Sequence, residues 1–173
     1  MFYNICLKDY MVKIKNKHRL KNKDIQKLFN EIHSNLNMNI ESSFNSVEIG
    51  VIDDFELIFL DKVPCFFRKD KQLFYTIKGL MHFSPSCRFV TVDMGAVKFV
   101  TNGADIMAPG IVDADKSISV DDVVWICDET HKKALAVGLA VMNGSDMITN
   151  SKGKAVIMVH YIGDHLWNTI SLI

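Results

Sequence analysis

Residues 92–111, VDMGAVKFVTNGADIMAPGI, constrain the fold more than any other stretch of the chain. A strand is expected to end at Asp93, after which Ala96, Val97 and Val100 form an apolar helical face. Gly103 is placed to stop that helix, because glycine takes up positive φ without a Cβ clash. A second tight turn follows at Pro109-Gly110. Two readings of the small residues Gly103, Ala104, Ala108 and Gly110 are open: they leave backbone amides uncovered for a phosphodiester backbone, or they only make a compact turn.

The surrounding texture agrees with a fold of short, frequently turning elements. Eight of the nine glycines lie at Gly79 or later, between short β-branched runs at residues 88–92, 117–118, 123–127, 134–142 and 155–161. Such punctuation predicts a small barrel. The earlier half reads differently. Val12 and Ile14 alternate with Lys13, Lys15 and Lys17, the period of a half-buried strand with a lysine stripe on one face. Asn22 is the expected N-cap of an amphipathic helix carrying Ile25, Leu28, Phe29, Ile32 and Leu36 on one side. Residues 37–46 read as a loop. Two hairpins are expected, 47–52 with 55–62 about Asp53-Asp54, and 65–67 with 73–75 about the charged turn 68–71. A short helix over 76–83 ends before Pro85.

The fold class expected is therefore α+β, with an N-terminal α/β domain over 1–86 and a small C-terminal barrel over 87–173, which the resemblance given below specifies as a mixed β pseudo-barrel. Residues 1–10 precede a second methionine, Met11, and are a candidate extension of the first domain. Residues 84–88 are the natural boundary, and charge changes sign there: 14 basic and 10 acidic residues up to Arg88, then 6 and 10. Over the whole chain 20 of each cancel, so the bulk charge argues for no polyanion, whereas the early basic excess points weakly to nucleic acid or an acidic surface.

Catalytic patterns are missing from the sequence. There is no nucleophile elbow, phosphate-binding loop, dinucleotide fingerprint or HExxH helix, and no enzymatic activity is expected. Six histidines sit in unrelated contexts, and none is expected to have a carboxylate orienting its ring. Four cysteines, Cys6, Cys65, Cys87 and Cys127, form no CxxC pair and read as reduced thiols. Cys65, His82 and Cys87 match no standard zinc spacing, so neither metal nor cofactor is expected. No apolar run is long enough to span a bilayer, and the expectation is a cytoplasmic, monomeric protein with no membrane partner.

DMGAVKFVTNGADIMAPGI, followed by VVWI, ALAVGLAVM, SKGKAV and HYIGDHLW, resembles a PUA domain, the RNA-binding pseudo-barrel of pseudouridine synthases and archaeosine transglycosylases. The preceding half, with PCFFRKDKQLFYTIKGLMHF, is similar to the pre-PUA domain of the archaeal and eukaryotic relatives of the malignant T-cell amplified sequence proteins. One departure is Asp121 before Asp122, where that family usually has Gly-Asp.

The resemblance implies RNA binding without chemistry, in translation, close to the tRNA acceptor end or small-subunit ribosomal RNA, together with a translation-factor protein partner. It places the RNA surface on Lys98, Gly103, Ala104, Met107, Pro109, Gly110, His160 and Tyr161, with Lys152 and Lys154 as nearby phosphate contacts. Tyr161 has the alternative of plain core packing. Lys13, Lys15 and Lys17 join the set through their stripe. Two other roles stay open: an accessory subunit acting in trans with an RNA-modifying enzyme, and a module that docks on a protein with RNA contact secondary.

Overall fold

The structure is a computed structural model that describes residues 12–40 and 44–173. The expected extension over residues 1–10 lies outside the described residues. Two sheets organise the chain. The first is an antiparallel five-stranded sheet in the order β1 (Lys15–Arg19), β2 (Val47–Ile52), β3 (Phe55–Leu60), β4 (Val63–Lys69) and β5 (Gln72–Tyr75). Sequential order follows from tight turns. Positive φ at Asp53, at Asp61 and Lys62, and at Asp70 and Lys71 marks the three connections, where polar side chains tolerate the left-handed region. The expected turn over 68–71 therefore shrinks to two residues, and the strands on either side are longer than their apolar cores suggested.

Helix α1 (Asn22–Leu36) buries Leu28, Ile32 and Leu36 against this sheet, as its apolar spacing predicts. Its cap differs from expectation: Lys21 occupies the N-cap position without a side-chain bond, and Asn22 is already helical. Strand β1 is also less regular than the alternation implied. Val12 and Ile14 precede the ladder, Asn16 has φ 52°, and the register slips between Lys15 and His18. This bulge breaks the expected lysine stripe. Lys17 reaches Glu48 at 3.4 Å and lies over the Phe59 ring, while Lys13 and Lys15 are exposed.

Helix α2 (Ile77–Phe83), capped by the Thr76 hydroxyl on the Gly79 amide, lies so close to β4 that a Cβ at Gly79 would stand 1.9 Å from the Cys65 carbonyl oxygen. Residues 84–88 then lead to the second sheet, six-stranded, in the order β7-β11-β10-β9-β6-β8. Its members are β6 (Phe89–Val92), β7 (Ile106–Met107), β8 (Ile111–Ala114), β9 (Val123–Asp128), β10 (Ala134–Ala140) and β11 (Lys154–Tyr161). The pairings are antiparallel except β6 with β9. The two edge strands β7 and β8 are joined by the three-residue 3₁₀ turn Ala108–Gly110, so the sheet must curl until its edges nearly meet. That connection makes the pseudo-barrel.

Residues 117–118, expected as a strand, form a turn instead. Asp115 accepts from the amide and hydroxyl of Ser117, which holds Ile118 inward as a buried plug. The β7 and β8 strands were too short for a period to show, and two single-sided helices, α4 (Gly144–Thr149) and α5 (His165–Ile170), were also not anticipated. Asp121 has φ 71°, a conformation that favours glycine, the residue the resemblance leads one to expect there.

The two sheets share one core. Val123, Ala134, Val137, Leu166 and Ile170 of the second half pack in the same cluster as Leu28, Phe66, Phe67 and Leu80 of the first. Polar contacts cross the seam as well. Arg88 donates to the Asn35 carbonyl and pairs with Asp122 at 3.0 Å, Lys78 donates to the Ile170 carbonyl, and His165 meets Asp53 at 2.7 Å.

Candidate nucleic-acid interface

Helix α3 (Met94–Val100) leaves β6 at Asp93, whose carboxylate caps it by accepting from the Ala96 amide at 2.7 Å. Val100 is buried, whereas Phe99, one step round the helix, is 56% exposed. The helix ends in a Schellman pattern: Gly103 N–H donates to the Val100 carbonyl and Ala104 N–H to Phe99, each at 3.0 Å, with Gly103 at φ 81°. Gly103 has a second reason to be glycine, since a Cβ there would lie 2.7 Å from the Tyr161 ring.

These bonds answer the question left open about the amides for three of the four small residues. Gly103 and Ala104 spend theirs on the helix end, Ala108 N–H donates to the Gly153 carbonyl, and Ile111 N–H to Ala108. What the small residues create instead is space. Between α3 and the edge of the barrel runs a cleft of about 550 Å³, lined by Gly95, Ala96, Phe99, Ala104, Met107, Pro109 and Gly110 among others. Exposed Met94 and Met107 extend its apolar character to the surface.

Lys98 is exposed, with its Nζ over the Phe99 ring at 4.8 Å, and Lys152 is exposed in the turn before β11. Lys154 is committed: its Nζ lies 2.6 Å from Asp105, and this hydrogen bond, with a second from the Met158 amide, holds the Asp105 carboxyl below the usual carboxylate range. Tyr161 is half-buried, packing against the second-sheet core and Gly103. Its core-packing alternative therefore describes the contacts it makes.

His160 does not join this surface. Its side chain is fully buried at the seam, edge-on to Phe67 with ring centroids 5.5 Å apart. The Ile77 amide donates to His160 Nε2 at 3.3 Å, so the ring proton sits on Nδ1 and points at Asp164, 2.7 Å away. A carboxylate does orient this ring, contrary to the sequence expectation. Burial pushes the Asp164 carboxyl up, but bonds from His160 and the Trp167 and Tyr161 amides outweigh it and hold it below the usual carboxylate range. Lys13, Lys15 and Lys17 belong to the edge of the other sheet. Among the described residues no group of three His, Cys, Asp or Glu side chains is arranged to hold a metal, and no helix is long and apolar enough to cross a membrane.

Phe99 is the residue that sequence reasoning omitted. The apolar face was taken as Ala96, Val97 and Val100, and an aromatic lying off that face on a short helix was the available signal.

Comparison with known proteins shows what the chain is similar to. The PUA domain family model matches residues 88–162, and a domain of unknown function, DUF1947, matches residues 16–82. The chain is 46% identical over 160 residues to the uncharacterized protein MJ1432 of Methanocaldococcus jannaschii, covering 91% of this chain and 98% of that one. It is 34% identical to translation machinery-associated protein 20 of Schizosaccharomyces pombe, over 64% of this chain and 72% of the relative. Among solved structures, a hypothetical protein of Pyrococcus horikoshii superposes with a TM-score of 0.78 at 32% identity, covering 89% of this chain and 99% of that one.

Proposed function

Because the chain belongs to the family of PUA-domain proteins that includes translation machinery-associated protein 20 and the malignant T-cell-amplified sequence proteins, we propose that it is a non-catalytic RNA-binding protein acting in translation. The cleft beside α3 receives an unpaired RNA segment, at the tRNA acceptor end or in small-subunit ribosomal RNA. The observation that carries this reading is the cleft itself: an open apolar slot with an exposed aromatic, Phe99, on its wall and cations outside it. Single-stranded nucleic acid is bound by that combination, bases stacking on π-faces while phosphates meet lysines. Phe99, Met94 and Met107 exposed together form the kind of apolar patch that marks a binding surface.

Gly103, Ala104, Pro109 and Gly110 act in this reading by being small, and Lys98 and Lys152 by meeting phosphate. Lys154 positions Asp105. His160 is left out because it has no face to offer. The test is Phe99→Ala with a short single-stranded RNA at fixed salt. Affinity is expected to fall about tenfold, the worth of one stacked base. Unchanged affinity would remove the cleft from the RNA path. A protein with no catalytic constellation is expected neither to hydrolyse nucleotides nor to modify RNA when purified alone.

A further inference from the structure

The charge inside the cleft is of the wrong sign for phosphate. Among its lining residues the ionisable side chains are Asp93 and Asp105, and none is a lysine or arginine. Asp105 is already committed through both oxygens, Oδ1 to the Met158 amide at 2.9 Å and Oδ2 to Lys154 at 2.6 Å. Asp93 is not. Its Oδ1 accepts from Ala96 at 2.7 Å and its own amide donates to the Gly110 carbonyl at 3.0 Å, while among the described residues no donor reaches Oδ2. Asp93 therefore brings an acceptor with formal charge to a slot whose other walls include Ala96, Phe99, Pro109 and glycine backbone, with the paired Asp105 among them. The group that enters must bring N–H donors and little negative charge, which leaves the phosphates outside, at Lys98 and Lys152.

We propose that Asp93 makes the cleft selective for bases carrying an exocyclic amino group, adenine, cytosine or guanine, over uracil. This rests on the reading of the cleft as an RNA site. Adenine and cytosine each offer an amino group, and guanine a neighbouring N1–H and amino pair, to a carboxylate oxygen. Uracil offers one N–H flanked by two carbonyl oxygens, which a carboxylate repels. A hydrogen bond to a charged group in a partly dry slot is worth about a tenfold change in affinity.

Asp93 can be tested without disturbing the helix it caps, because asparagine and serine cap helices about as well as aspartate. Labelled oligo-A, oligo-C and oligo-U are titrated at fixed salt against wild type, Asp93→Asn, Asp93→Ser and Ala104→Glu, with the thermal midpoint of each protein measured alongside. Wild type is expected to prefer oligo-A and oligo-C over oligo-U about tenfold, and both Asp93 variants to reduce the preference to about twofold or less at a near-wild-type midpoint. Equal binding of the three oligomers, all weakened by Ala104→Glu, would overturn the selectivity while leaving the cleft as an RNA site. A preference that persists in both Asp93 variants would overturn the assignment to Asp93. If Ala104→Glu weakens none of them, the RNA site is elsewhere and the selectivity falls with it.

Discussion

His160 and Tyr161 are neighbours on β11 but belong to different parts of the molecule. Successive strand residues point to opposite faces, so His160 enters the seam between the sheets while Tyr161 turns toward Gly103 and the cleft. At the seam every polar group is matched: Ile77 N–H, the His160 ring and Asp164 form a closed chain, and Asp164 also caps α5 through the Trp167 amide at 2.7 Å. At the cleft apolar side chains are exposed, and among the described residues no donor reaches Oδ2 of the half-buried Asp93. The contrast separates a region that holds two units together from one that, in the reading proposed above, is kept available for a ligand, although both were drawn from one sequence motif.

The sharpest break in this comparison is Asp164→Ala. It strips the His160 ring and two backbone amides, one of them the Trp167 amide that Asp164 caps, of their acceptor, and is expected to cost about 3 kcal/mol in chemical denaturation. Acid should do the same gradually. The Asp164 carboxyl is held low in the folded state, so its stabilisation is fully present above the ordinary carboxylate range and is lost as pH falls below it. Asp164→Asn should flatten that acid limb of the stability curve, and a limb of wild-type steepness would show that the seam does not depend on this charge. Gly103→Ala comes next, at about 1–2 kcal/mol, because the substituted residue would keep a positive φ and press on the Tyr161 ring. A neutral result would mean that the helix end rearranges at no cost.

Asp121→Gly works in the opposite direction. It relieves a left-handed aspartate and is expected to add about 1 kcal/mol without touching RNA affinity. The smallest effect concerns the edge of the first sheet. Since Lys17 is paired with Glu48, replacing Lys13, Lys15 and Lys17 by alanine should change the salt slope of RNA binding no more than replacing Lys13 and Lys15 alone. Replacing Lys98 and Lys152 together should reduce that slope by about 1.4, the value for two phosphates on a single strand. If the larger loss came from the β1 lysines, the RNA path would run over the other sheet.

Much of this architecture was legible because its signals are local. The α1 stripe, the Asp53 turn, the helix beginning after Asp93 and the positive φ at Gly103 each follow from a few neighbouring residues. The cleft was only half legible. Its small residues stood out, but the amides of Gly103, Ala104 and Ala108 are consumed by the Schellman pattern and the Gly153 contact, which depend on how the chain folds back. His160 was misplaced for a similar reason: its partner Ile77 lies 83 residues away, and no period links them. The two-residue β7 strand and the bulge at Asn16 are likewise products of pairing rather than of propensity.

The central claim is that the cleft binds RNA and the seam holds the fold, and one paired measurement addresses it most directly. RNA affinity at fixed salt and the thermal midpoint are determined for Ala104→Glu and for His160→Ala, both below the midpoint of the weaker protein. Ala104 is exposed at the cleft wall, so the glutamate should block and repel RNA, lowering affinity about tenfold or more at a wild-type midpoint. His160→Ala should lower the midpoint and leave the affinity of the folded protein unchanged. Wild-type affinity in Ala104→Glu at a wild-type midpoint, or lost affinity in His160→Ala while it is still folded, would contradict the account.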